Sequence, residues 1–186
     1  MPSTTTSGGT ILRDATSRYR KAHREEGGAH GAYDAETKRA GSAPRAEVNV
    51  LRDSAPADIA AVLGLEPGSE VAVRARKMFQ DDQLVQLADT YIPVDVAEAA
   101  SIEQVDTGVG GIISRMAEAG FAQDDVTEDV TQVAATAEEA GALGVEAGEK
   151  LLQILHVGRT AEGRAVEVTR HLLGPGWTLR FSVPLA

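Results

Sequence analysis

The sequence predicts an α+β fold: an antiparallel sheet of about six strands with short helices, built on an internal pseudo-twofold repeat. Three observations carry this. The run Leu63-Gly64-Leu65-Glu66-Pro67-Gly68-Ser69 is answered eighty residues on by Leu143-Gly144-Val145-Glu146-Ala147-Gly148-Glu149. Each copy is followed by two β-rich runs separated by a polar turn. Each is preceded by a short stretch that opens on a helix start signal.

The elements follow in order. Residues 1–10 are rich in Ser, Thr and Gly and read as a disordered start. Segment 11–45 mixes charges with Gly27, Gly28, Gly31 and Gly41. It holds a short helix around Arg13–Glu26 but no sustained apolar stripe, and reads as a linker or an arm lying on the body. The chain becomes regular near Val48, which divides it into a flexible arm over 1–45 and a folded domain over 46–186.

Pro56 suits the first turn of a helix. After the Leu-Gly-x-Glu-x-Gly turn come strands over Glu70–Phe79 and Leu84–Pro93, joined by the turn Gln80–Gln83. Asp106–Gly111 is a glycine-rich turn opening a helix, with Ile112, Ile113, Met116 and Ala119 at helical spacing and a stop at Gly120. Val126–Ala135 reads as a strand, and Thr136-Ala-Glu-Glu139 as a capping box. The second hairpin spans Lys150–Arg159, the turn Thr160–Arg164 and Ala165–Leu173. Val85-Gln86 thus matches Val166-Glu167, the offset having grown by one residue in the turn. Trp177–Leu185 is the last strand, with Phe181, Val183 and Leu185 on one face. Two such units suggest that a pseudo-twofold joins both hairpins in one sheet, giving six or so strands and three short helices in the body.

Composition narrows the function. There is no cysteine, so neither disulfides nor thiolate metal sites are available. No apolar run approaches a membrane span of about 20 residues, and the first residues lack a signal-peptide core; a cytoplasmic protein is expected. The net charge of −10 is uneven: residues 1–50 hold eight Lys/Arg against six Asp/Glu, and the remainder holds ten against twenty-two. So acidic a body repels phosphate backbones and is not itself a nucleic-acid surface. The histidines lack zinc spacing, and no nucleophile elbow, P-loop or catalytic triad is legible, so neither metal nor cofactor is expected.

Three sets of residues can make a binding site. Arg74 and Arg76 stand two apart on a predicted strand and so share a face; they are either solvated or set against an anion, which their guanidinium forks match. The glycines to Gly110 and Gly111 are either a simple turn or a helix start whose bare N–H groups hold an anion. Gln86 and Glu167, repeat-mates on the two hairpins, either face solvent or converge on a polar ligand.

These residues resemble a known family. Arg74-Ala-Arg-Lys-Met-Phe-Gln-Asp-Asp-Gln-Leu-Val-Gln-Leu-Ala-Asp-Thr-Tyr-Ile-Pro93 resembles the signature of UTRA domains, the effector domains of HutC-type GntR-family regulators. Thr107-Gly-Val-Gly-Gly-Ile-Ile113 with Arg115 resembles their second block. Glu138-Glu139 with Leu143-Gly144, and Arg159 with Gly163-Arg-Ala-Val-Glu-Val168, resemble the third. The match covers roughly residues 45–186, with its blocks in the family's order.

The resemblance implies a chorismate-lyase-like fold, a homodimer, and a pocket for a small phosphorylated or carboxylated metabolite. In it Arg74 and Arg76 would hold the anion, helped by the helix start at Gly110 and Gly111, while Gln86 and Glu167 would face the rest of the ligand. It implies sensing without catalysis; the alternatives are a chorismate-lyase-like enzyme and a stand-alone dimerisation module for a full-length regulator. Amino-sugar-phosphate sensors of the family carry Ser at the place of Gly111, an acid at Gln86 and Tyr at Leu173, so this chain departs from them where a sugar would be read. Full regulators begin with a winged helix-turn-helix of about 70 residues. Residues 1–50 do not supply one, so DNA would be reached only through a head outside this sequence, and 13–36 resembles the linker that follows that head.

Overall fold

The structure, a computed structural model, describes residues 11–182. The Ser/Thr/Gly-rich start and the end of the last expected strand, with Val183 and Leu185, lie outside the described residues. The sheet has six antiparallel strands: β2 (Pro44–Ser54), β3 (Glu70–Gln80), β4 (Gln83–Pro93), β5 (Asp125–Ala134), β6 (Lys150–Arg159) and β7 (Ala165–Leu173), in the order β2-β3-β4-β7-β6-β5. β1 (Ile11–Asp14) runs parallel to β8 (Trp177–Arg180) in a separate two-stranded sheet. The helices are α1 (Lys21–Arg24), α2 (Ala32–Arg39), α3 (Ala57–Leu63), α4 (Val94–Ala99), α5 (Gly111–Glu118) and α6 (Ala137–Leu143).

The pseudo-twofold is legible in the register. β4 pairs with β7 through Asp89↔Arg170, positions related by the repeat offset, so the axis passes there. Arg76↔Ala88 in one hairpin corresponds to His156↔Thr169 in the other, and a register shift follows Met78 in the first and Gly158 in the second. The turns match as closely. Gly64 and Gly144 close α3 and α6 at φ 68° and 69°, and Gly68 and Gly148 turn at φ 80° and 83°. These left-handed angles are strained for residues bearing a Cβ, which is why the repeat conserves glycine there. Thr136 and Glu139 form the capping box read from the sequence.

The repeat proves larger than the sequence indicated, because β2 and β5 precede the helices and form the two sheet edges. The helix expected over Arg13–Glu26 is confined to α1 and a 3-10 turn over Glu26–Gly28; Ile11–Asp14 is drawn into a strand by β8. α4, which follows Pro93, was not anticipated. Trp177–Arg180 pairs with the arm rather than with the main sheet.

Alternation along the strands fixes two apolar layers. On the far face, Ile59, Ala60 and Leu63 of α3 pack on Val71, Val73, Tyr91 and Val168, while Ala140 and Leu143 of α6 pack on Leu151 and Leu172. On the near face, Val96, Ala97, Ile112 and Met116 from α4 and α5 pack on Ala72, Ile92 and Val166. Among the described residues no helix is long and apolar enough to cross a membrane.

Candidate functional site

The near face is apolar where α4 and α5 cover it and again at Met78 and Ala88, which pack with Tyr33 of α2. Between these patches lie buried polar residues: Arg74, Gln86, Thr90, His156, Glu167, Thr169 and His171. Segment 11–43 lies over this floor. A groove of about 520 Å³ runs between Arg74, Arg76 and Met78 on β3, the amino end of α2 at Gly31–Tyr33, and Asp106, Thr107 and Gly111 before α5. A smaller chamber of about 90 Å³ lies deeper, sharing Arg76, Met78, Gly111 and Ile112 with the groove and reaching Gln86, His156, Glu167, Thr169 and His171. All six sequence-predicted residues thus line one or both of these spaces.

The two arginines differ in what they do. Arg74 is buried, and its guanidinium donates to the carbonyls of Ile102 (2.7 Å), Gln104 and Val105 (3.0 Å). It fastens the loop after α4. Burial, and then the neighbouring Arg76, lowers its pKa to about 10, so it stays protonated at neutral pH. Arg76 donates to Thr90 through Nη2, while its Nε is enclosed and has no partner. Among the described residues no carboxylate lies within ion-pairing distance of either guanidinium. The other groove cations are matched, Lys38 by Asp34 (2.8 Å) and Arg45 by Glu47 (2.6 Å), and His30 Nδ1 lies 3.0 Å from Asp106. The unbalanced charge in the groove is therefore the arginine pair.

The glycines before α5 are needed for close approach. The Gly110 amide donates to the Ala29 carbonyl (2.8 Å). A Cβ on Gly110 would lie 2.1 Å from Ser114 Oγ and 2.8 Å from a Glu25 carboxylate oxygen, and one on Gly111 2.9 Å from the His30 carbonyl. Ser114 Oγ donates to Glu25 (2.6 Å) and accepts from Arg24 Nε (3.1 Å). The arm's own backbone and carboxylate thus sit where the helix start points.

Deeper in, Gln86 Nε2 donates to His171 Nδ1 (3.0 Å) and its Oε1 is buried without a partner. Burial, reinforced by Arg13, Arg76 and Arg18, holds the His171 pKa well below the ordinary value, which keeps the ring neutral. Glu167 accepts from Gln123 (2.7 Å) and Thr169 (2.9 Å). His156, 1% exposed, stands beneath the Tyr19 ring at 4.7 Å and between two carboxylates, its Nδ1 3.7 Å from Glu128 and its Nε2 3.9 Å from Glu167, both beyond hydrogen-bond length. Glu128 accepts from Arg13 and Tyr19; burial works against its ionised form, but His156 and Arg13 hold its pKa below the usual carboxylate range.

Sequence reasoning missed the arm's share of the site: Arg18, Tyr19, His30, Gly31 and Tyr33. Nothing in their spacing shows that they fold back across some hundred residues of chain. His156 was legible as the repeat-mate of Arg76; Thr90 and Thr169 follow from alternation with Gln86 and Glu167 on their strands.

The UTRA domain family matches residues 39–174. An uncharacterized HTH-type transcriptional regulator of Streptomyces coelicolor is 29% identical over 141 residues, 73% of this chain and 52% of that protein. The chain thus spans about half the length of this curated relative. Among solved structures, the ligand-binding domain of a GntR-family transcriptional regulator from Bordetella bronchiseptica superposes with a TM-score of 0.66 at 26% identity, over 76% of this chain and 91% of that one. PhnF from Mycobacterium smegmatis shares the fold at a TM-score of 0.75 and 19% identity, over 95% of this chain and 73% of its own.

Proposed function

The chain belongs to the UTRA domain family, the ligand-binding regulatory domains of GntR-family regulators, and from that premise we propose that it senses a small anionic metabolite bound in the near-face groove, without catalysing its conversion. The observation that carries the anionic preference is the Arg74–Arg76 pair: two neighbouring guanidiniums with no carboxylate partner, in a chain of net charge −10. Arg74 already serves three carbonyls, so Arg76, with its unpartnered Nε, is the principal anion ligand and Arg74 adds field. The first amides of α2, whose N-cap Gly31 offers no side-chain cap, face the same groove and favour negative charge. Gln86 and Glu167 read the rest of the ligand in the deeper chamber, and Gly110 and Gly111 form the wall against which the arm closes.

With Arg74 tied to the loop, the site offers one free guanidinium. That fits a single anionic head better than the two carboxylates a chorismate-type lyase must hold. The domain over 46–186, with the arm over 1–45, acts as a homodimer of the HutC type in the cytoplasm. It reaches DNA only through a winged helix-turn-helix head, a reading supported by its likeness to an HTH-type regulator of which it spans about half, and ligand shifts the dimer between two arrangements that such a head reports.

A thermal-shift screen of inorganic phosphate, sugar phosphates and small carboxylates tests the reading. A ligand that binds only the native state adds up to about 2.7 kcal/mol at a hundredfold excess over Kd. A clear rise with one anionic class, abolished in Arg76→Ala while the unliganded midpoint stays close to the parent's, is expected. An Arg76→Ala protein that responds as the parent does would place the anion elsewhere.

A further inference from the structure

We infer that the outer edge of β2 is where two copies of this chain pair, antiparallel about a twofold axis at Asn49. The inference deepens the homodimer reading above and rests on it. β2 is the longest class of strand in the sheet, eleven residues, and eight of them are exposed, so it is wet on both faces and bonded to β3 alone. Its pairing with β3 runs over all eleven residues without a bulge, so the edge is straight. A long, regular, unpaired edge is a template for another strand unless the sequence blunts it.

The sequence blunts one edge of this sheet and not the other. β5 occupies the position equivalent to β2 in the second half and carries Asp125, Glu128 and Asp129 with no basic residue. With no base on β5, no twofold register of two β5 edges sets opposite charges across the ladder, and Glu128 is already held under the arm by Arg13 and Tyr19. β2 instead carries Arg45, Glu47, Arg52 and Asp53, two of each sign. Leu51 on β2 and Val130 on β5 are equally open, at 38%, so charge rather than apolar area separates the two edges.

Symmetry then selects the register. Residues facing each other across an antiparallel ladder both turn their N–H groups toward it or both away, so a twofold axis must pass through one residue paired with its own copy. With the axis at Asn49 the whole of Pro44–Ser54 overlaps its copy. Arg45 faces Asp53 of the second copy, Asp53 faces Arg45, and Val48 faces Val50. With the axis at Val50, Glu47 meets Asp53, acid against acid. With the axis at Val48, Arg45 meets Leu51 and the overlap shortens. Only the Asn49 register combines full overlap with two opposite-charge pairs. Pro44, Arg45, Ala46 and Val48 also line the groove, so this pairing sets the second copy beside the ligand site.

Sedimentation velocity across a concentration series tests the assignment, with Asp53→Arg as the breaking variant. Asp53 lies outside the groove, and its one side-chain hydrogen bond is to the adjacent Ser54 amide. The substitution sets Arg against Arg45 at both ends of the pair and should raise the dimer dissociation constant about ten- to a hundredfold. Adding Arg45→Asp restores opposite charges and should return most of the dimer; Asp129→Asn on β5 should leave assembly as in the parent. Far-UV circular dichroism and the thermal midpoint establish that each variant is folded. A folded Asp53→Arg protein that dimerises like the parent, or a folded charge swap that stays dissociated, overturns the β2 edge while leaving the dimer standing. A parent chain that is monomeric throughout overturns both.

Discussion

The two hairpin units have one backbone and two chemistries. At matched positions on the near face the first carries Arg76, Gln86 and Thr90, and the second His156, Glu167 and His171. On the far face both are alike, each with a seven-residue helix closed by a left-handed glycine and packed on aliphatic residues of its hairpin. The far face is under one demand, to bury a helix, and the same pattern meets it twice. The near face diverges into a cationic end and a hydrogen-bonding end, as the ligand site proposed above, for a molecule without twofold symmetry, would require. The edge strands diverge as well. Glu128 of β5 is pinned under the arm by Arg13 and Tyr19, whereas β2 stays open.

The strongest way to break the comparison is at that pinned edge. Glu128→Ala should cost about 3–5 kcal/mol, because it leaves the Arg13 guanidinium, 1% exposed, without its counter-charge. The reading is chemical denaturation, and a loss below 1 kcal/mol would mean that the arm is not anchored there. Next come the turn glycines. Gly64→Ala and Gly144→Ala should each cost about 1–2 kcal/mol through the left-handed backbone alone, since no atom lies within 4 Å of the added Cβ in either case. Equal costs sharpen the twofold; clearly unequal ones show that the halves are not energetically equivalent.

A smaller effect separates the two helix starts. Thr136→Ala removes a capping box and should cost about 1 kcal/mol, whereas Pro56→Ala removes no side-chain cap and should cost less. The smallest effect is graded with pH. The folded-state pKa of His171 lies below its unfolded value of about 6.5, so the unfolded chain takes up the proton first and stability falls as pH drops through that value. Glu128 contributes in the same sense only below about pH 4.5, and Glu36 and Asp89, whose carboxyls burial raises, act in the opposite sense, so a fall in stability between about 6.5 and 5 comes from histidine. His171→Gln should flatten the thermal midpoint across that window, whereas Thr90, its partner in the first half, carries no such slope. An unchanged slope in the variant would assign the proton to another group.

Much of this was legible in the chain. The turn glycines, the capping box and the one-residue growth of the offset between Gln86 and Glu167 are local or periodic features, and the structure reproduces each. The site was legible in part. Arg74 and Arg76 share a face because alternation requires it, but their different hydrogen bonding depends on where the loop over 102–105 comes to rest. β2 was passed over because, exposed on both faces, it lacks the alternation that marks a half-buried strand.

What the sequence determined by itself was therefore the repeated unit and the placing of Arg74 and Arg76 on one face: backbone conformation at glycines and periodic alternation are written residue by residue. What only the tertiary structure decided was the roof over that face. Residues 11–43 carry little apolar pattern of their own and are held by contacts such as Arg13 with Glu128, Arg24 with Ser114 and the Ala29 carbonyl with Gly110. Those contacts join residues some eighty or more positions apart. A buried polar contact of that kind is stable only when the partner is already in place, so it leaves no local signature and is created by the fold.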